Sequence, residues 1–402
     1  MSASYEERPF DDFKTAITDP IHFFGRGDLI QSVQKSPFRV RILLGGRRIG
    51  KTSTLRAIEW SLLDTNSGQP RRAFPVFCDL QVEQPQSIAN LRYLLIARLR
   101  EAIERWKNVP GTTIREKYRQ FLRQVSSGEV TVSFLSTVNT KLSISNPDRD
   151  RQLIHDDFRQ SLLKTIEELR KWNFEGICFL LDEAEFIVCR DWANDAWSYF
   201  RGLKDSDTAL KPCFGLLLSG YRNLKNYQQD VGSPLFNIAE VEWLTTFTAL
   251  ETQQLITRRS QSENLPLTQK SSIFIEQAGG HPYLTQRILS SFADNARNKK
   301  FNSLEIWLDH LVRQHDHDFS MWWNENQGSD GFSDLDQTVY RAFVECRQGT
   351  PKTLCKISNL SEGKVMDAIE MLVGTGVICR LDEENYSIGS KLFEKWISQR
   401  EL

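Results

Sequence analysis

Nothing in the sequence approaches the ~18–20 consecutive apolar residues that a membrane-crossing helix needs. The polar opening "MSASYEERPFDDF" has neither the basic nor the apolar region of a secretory signal. A soluble, cytoplasmic protein with no membrane partner is expected. Neither sign of charge is in excess: Lys and Arg total 51 against 52 Asp and Glu, a formal net charge of −1. A general attraction to nucleic acid or to an anionic bilayer is thereby excluded, and any such partner has to be met by a local patch. No C-x-x-C pair occurs among the seven cysteines, Cys78, Cys178, Cys189, Cys213, Cys346, Cys355 and Cys379. Several lie inside apolar runs, so they read as small buried hydrophobes in a reducing compartment, not as disulfides or zinc ligands. Low-complexity tracts are missing, as is any repeat at a period of roughly 20–50 residues.

What is present is enough chain, 402 residues, for two or three compact domains. "IHFFGRGDLIQSVQ" reads as a loop entering a short helix, "FRVRILLGG" as a buried strand running into a Gly-rich turn, and "KTSTLRAIEWSLLD" as the helix behind it. Further strands are expected at "RRAFPVFCDLQ", "GICFLLDEAEF" and "CFGLLLSG", with helices between them. Strands alternating with helices imply an α/β fold with a parallel sheet, and ligands at the carboxyl ends of its strands. A period-two stretch within 125–150 reads as an inserted hairpin. From residue 246 to 325 the chain turns helical, which suggests a lid. "NQGSDGFSD" resembles a linker (326–333), and three helical patterns followed by two short strands over 334–402 have the order of a winged helix. The α/β core is then 1–245.

The chemistry concentrates in "GGRRIGKTS", residues 45–53, which matches G-x-x-x-x-G-K-[ST] with the required strand before it and helix after it. Gly45 and Gly50 permit the tight turn that aims backbone N–H groups, from Gly46 through Arg47, Arg48 and Ile49 to Ser53, at phosphate oxygens. Lys51 is expected to reach the β and γ phosphates of ATP or ADP, and the Thr52 hydroxyl to bind the accompanying Mg²⁺. Downstream, "ICFLLDEAE" ends an apolar strand in acids. Asp182 suits the Mg²⁺ shell and Glu183 suits polarising a water for attack on the γ phosphate, although acids at a helix N-terminus give the same pattern. Glu185 reads as a solvated neighbour. In "SGYRN", Ser219, Arg222 and Asn223 are candidates to sense the γ phosphate, and ordinary turn chemistry explains Ser219 and Asn223 equally well. Arg47 and Arg48 suit nucleotide, a neighbouring subunit, or plain solvation.

On these residues the chain resembles the STAND-type P-loop ATPases, relatives of the AAA+ proteins. "FFGRGDL" is similar to the family's entry motif beside adenine and ribose, which implies Gly25 and Arg26 as contacts; Gly27 stands where the family has Glu. "GGRRIGKTS", "LLDEAE" and "AGGHPYLTQ" follow in the family's order, the last implying Gly280 and Pro282 against the nucleotide. "SPLFN" is also similar to a stretch after the fourth core strand. The resemblance implies slow hydrolysis resetting a switch, a nucleotide-dependent homo-oligomer, a separate sensor or effector chain, and a role in prokaryotic signalling or defence. The family's switch histidine has no counterpart, since residues 335–402 contain no His.

A DNA-engaging AAA+ ATPase of the replication-licensing or transposition-regulator type is the alternative. Against it, residues 361–388 carry six acids but only Lys364 and Arg380, a sign that phosphates repel. Trp322 and Trp323 suit packing better than anchoring a partner. Arg190, Arg201 and Arg222 are equal candidates for an arginine finger.

Overall fold

The computed structural model describes residues 15–17, 23–63, 71–108, 147–230, 233, 235–299, 301–324 and 331–400. The expected hairpin within 125–150 lies outside them except for its last four residues, which are helical. The chain divides into two compact units: Thr18–Leu43 with Thr52–Glu242, and Leu44–Lys51 with Trp243–Leu402 and the N-terminal Met1–Ile17.

The first unit is built on a five-stranded sheet with the order β2-β3-β4-β1-β5. Its strands are β1 (Val40–Leu44), β2 (Ala73–Asp79), β3 (Gly176–Asp182), β4 (Phe214–Gly220) and β5 (Glu240–Trp243). Strands β2, β3 and β4 pair in parallel, with Asp79 opposite Asp182 and Leu181 opposite Leu218. All residues of β1, β3 and β4 are buried, which is why they read as continuous apolar runs: strands covered on both faces have no polar alternation. The half-exposed β5, "EVEW", ends the strand order. There Arg41 pairs with Glu242 at 2.8 Å and with Glu240 at 3.3 Å.

The connecting helices are α1 (Gly27–Lys35), α2 (Lys51–Leu63), α3 (Leu80–Glu83), α4 (Ile88–Asn108), α5 (Pro147–Arg170), α6 (Glu185–Val188), α7 (Ala193–Asp205) and α8 (Arg222–Asp230). Leu91, Leu95 and Leu99 of α4, with Leu162, Ile166 and Leu169 of α5, recur at helical spacing and are fully buried.

The second unit is helical from α9 (Ala249–Glu263) through α10 (Ser271–Ala278), α11 (Pro282–Asn298), α12 (Leu304–Gln314) and α13 (Asp316–Trp323). It continues through α14 (Asp334–Cys346), α15 (Pro351–Ser358), α16 (Glu362–Thr375) and α17 (Lys391–Arg400). The short strands β6 (Gln348–Gly349), β7 (Ile378–Arg380) and β8 (Tyr386–Ile388) form a sheet ordered β6-β8-β7, antiparallel at both pairings. One apolar cluster runs from Ile256 of α9 to Ile397 of α17. Trp322 and Trp323 belong to it, and Phe319 and Trp322 lie 5.3 and 5.9 Å from the Phe393 ring. No helix among the described residues is long and apolar enough to cross a membrane. The seven cysteines are all free, with Cys78, Cys178 and Cys213 buried and Cys189 exposed.

Candidate functional site

The glycine loop, residues 45–50, joins β1 directly to α2, as the strand and helix patterns predict. Gly50 has φ +102°, a conformation closed to other residues without strain, and Arg48 also lies in the left-handed region at φ 63°. Gly45, Gly46 and Ile49 are buried while Arg47 is exposed. Lys51 is 8% exposed, and its ammonium donates to the Gly45 carbonyl at 2.9 Å and the Gly46 carbonyl at 3.4 Å. Thr52 and Ser53, in the first turn of α2, are half-buried.

Two contacts fix this loop within its own unit. The Gly46 N–H donates to the Gly374 carbonyl at 2.8 Å, and a Cβ at Gly46 would meet Thr375 of α16 at 2.8 Å. The Arg48 Nε lies 2.9 Å from Oδ1 of Asp318 on α13, and its guanidinium sits 4.4 Å from the centre of the Tyr283 ring. Asp318 in turn accepts from the Tyr283 hydroxyl at 2.8 Å, and His315 Nδ1 lies 3.3 Å from the same oxygen. Burial would raise the Asp318 carboxyl, but the bonds from His315 and Tyr283 and the Arg48 charge outweigh it and hold it at about 2. Burial lowers His315, with the Asp318 bond opposing. It also pushes the Tyr283 phenol up to about 12, with the Asp318 bond adding to the shift.

At the carboxyl end of β3, Asp182 is 1% exposed. One of its oxygens accepts from the Ser219 hydroxyl at the end of β4, whereas its Oδ2 has no hydrogen-bond partner among the described residues. A buried carboxylate oxygen without a donor is costly unless a cation meets it. Glu183 follows with φ 52°, an unusual conformation for a β-carbon-bearing residue and worth about 1–2 kcal/mol of strain. Such strain at a candidate base is what a site that over-determines its side-chain position would store.

Glu185 corrects the expectation of a solvated neighbour. Its Oε1 accepts from the backbone N–H groups of Tyr221 (2.8 Å) and Asn223 (3.2 Å), so it caps the start of α8, the helix that opens with Arg222. Sequence periodicity missed this because the pairing crosses from the end of one strand to the end of its neighbour. Asp79 lies opposite Asp182 and caps α3 by accepting from the Gln81 and Val82 N–H groups at 3.0 Å each.

Gly25 (φ 77°) and Arg26 (φ 64°) form the turn that starts α1. "GGHP" is a helix stop and restart. Gly279 ends α10 in the left-handed region, and the His281 ring accepts from the Leu284 N–H at 3.4 Å with Pro282 at the first turn of α11. Gly280, at φ 72°, is pressed against Phe247, whose carbonyl oxygen would lie 2.3 Å from an added Cβ. Among the described residues no cluster of three or more His, Cys, Asp or Glu side chains could hold a metal unaided.

No family model matches the chain, and no curated protein matches it. Among solved structures it is similar to the Walker-type ATPase PABY2304 of Pyrococcus abyssi, at 17% identity and a TM-score of 0.56, covering 97% of this chain and 99% of that one. It is also similar to the ORC2 protein of Aeropyrum pernix in its ADPNP–ADP complexes, at 11% identity and a TM-score of 0.49 over 99% of both chains. A Thermotoga maritima RuvB mutant aligns at 11% identity and a TM-score of 0.38, over 95% of this chain and 98% of that one. The likeness to the Pyrococcus protein is one of fold. With a glycine loop between β1 and α2 and a five-stranded sheet ordered β2-β3-β4-β1-β5, the chain has the α/β fold of a P-loop nucleoside triphosphatase.

Proposed function

We propose that the protein binds ATP with Mg²⁺ and hydrolyses it slowly, its nucleotide state setting conformation, self-assembly or docking to a separate sensor or effector chain. The observation that carries this reading is the Asp182 carboxylate. It is buried at the end of β3, one oxygen fixed by Ser219 and the other lacking a donor, in the sheet whose β1 leads into the glycine loop.

Asp182 and the Thr52 hydroxyl would hold Mg²⁺, which offsets phosphate charge when bound. Lys51, with the backbone of residues 45–53, binds the β and γ phosphates; Glu183 accepts the proton of the attacking water; Arg222 offers a cation to the developing charge. Ser219 keeps Asp182 in one orientation. By resemblance, Gly25 and Arg26 contact base and ribose, and Gly280 and Pro282 back the nucleotide. The same resemblance supports a STAND-type arrangement of core (1–245), lid (246–325) and winged helix (334–402), and a role in prokaryotic signalling or defence.

Lys51→Ala is expected to lose ATP binding, measured by titration of a fluorescent ATP analogue. Glu183→Gln is expected to keep it while phosphate release stops. Equal affinity in Lys51→Ala removes the reading, and undiminished turnover in Glu183→Gln removes the assigned base.

A further inference from the structure

Arg48 is the one loop residue whose side chain is drawn into an ionic contact with a distant helix among the pairs described: Nε to Asp318 Oδ1 at 2.9 Å. The pair is partly shielded, with side-chain exposures of 30% and 12%. Asp318 is held in place from its other oxygen by Tyr283 and His315. An ionised carboxylate so close to a loop built to receive a polyanion is electrostatically misplaced unless it serves the state without that anion, because it engages Arg48, a cation the anion would otherwise meet.

The helix that carries it is also tied elsewhere. Asp316, two residues earlier on α13, accepts from Trp396 Nε1 at 2.8 Å and Arg400 at 2.6 Å, both on α17. Phe319 and Trp322 of α13 pack on Phe393 of the same helix.

We propose that Arg48 and Asp318 form a latch between the glycine loop and α13, which phosphate opens by taking Arg48 from the carboxylate. Release of Asp318 then loosens α13, the helix that braces α17. Asp318 is thus a positioning residue, acting on nucleotide through Arg48. The proposal rests on the nucleotide reading given above, and its test separates the two.

The affinity for ATP·Mg²⁺ is measured for wild type, Lys51→Ala, Asp318→Asn, Arg48→Ala and the Arg48→Ala/Asp318→Asn double variant. Undiminished binding by Lys51→Ala sinks the nucleotide reading itself. If that binding is lost, Asp318→Asn is expected to bind roughly tenfold tighter than wild type, the size of one partly buried ion pair no longer in competition. In the Arg48→Ala background the gain should vanish. Asp318→Asn binding equal to or weaker than wild type, or a gain that persists without Arg48, overturns the latch. Should Asp318→Asn fail to fold, hydrogen exchange of the wild-type protein decides. Backbone amides of α13 should exchange faster with ATP·Mg²⁺ bound, and unchanged or slower exchange overturns the proposal.

Discussion

His315 and Asp318 make stability depend on pH in two separate windows. Burial holds His315 below its ordinary 6.5, so the fold takes up this proton at a lower pH than the unfolded chain does. Its contribution is therefore present above pH 6.5 and lost as pH falls further, at up to about 1.4 kcal/mol per pH unit. Asp318, held at about 2 against an ordinary 3.8, adds stability above pH 3.8 that disappears as pH falls toward 2. His315→Asn should flatten the loss of stability between pH 7.5 and 5.5 in urea unfolding; a variant as pH-sensitive as wild type would remove His315 as the cause. These residues are illegible in the sequence, whereas the places of Lys51 at the start of a helix and Asp182 at the end of a strand are readable. The latter two sit in local patterns that chain order alone imposes, strand then loop then helix, or strand then acid. Arg48, Tyr283, His315 and Asp318 meet only through folding, and no spacing rule connects them.

Among the elements, strands buried on both faces were readable because continuous apolar runs have one explanation. The strand β5 was not, since four residues are too few for the alternation of "EVEW" to stand out, and the Arg41 that pairs with its acids lies on a strand far earlier in the chain. The helical stretch after residue 246 was also readable, and its start has a physical signature. Thr248 accepts from the Glu251 N–H at 3.1 Å while the Glu251 carboxylate accepts from the Thr248 N–H at 2.8 Å. The junction between α10 and α11 shows what such punctuation conceals. "GGHP" announces a stop and restart, but not that Gly280 must let the Phe247 carbonyl approach while its own carbonyl accepts from the Phe247 N–H at 2.8 Å. Gly280→Ala combines a left-handed backbone with that clash, and should cost about 2 kcal/mol or more in urea unfolding. A midpoint within error of wild type would show that the junction relaxes freely.

For the whole molecule, the proposed switch predicts a change of assembly with nucleotide. Particle mass measured with ADP and with a non-hydrolysable ATP analogue should differ, the analogue giving a multiple of the monomer mass. Identical masses in both would restrict the switch to a conformational change within one chain or to docking on a different chain. If copies do join, the terminal strand of the sheet limits how. A sheet lengthens indefinitely when its last strand offers unpaired backbone flanked by apolar side chains, and that is the route to fibres. Here the last strand in the order, β5, carries Glu240 and Glu242. Two copies meeting along it would have to disturb the ion pairs that Glu240 and Glu242 make with Arg39 and Arg41, which disfavours growth by extension of the sheet at this strand.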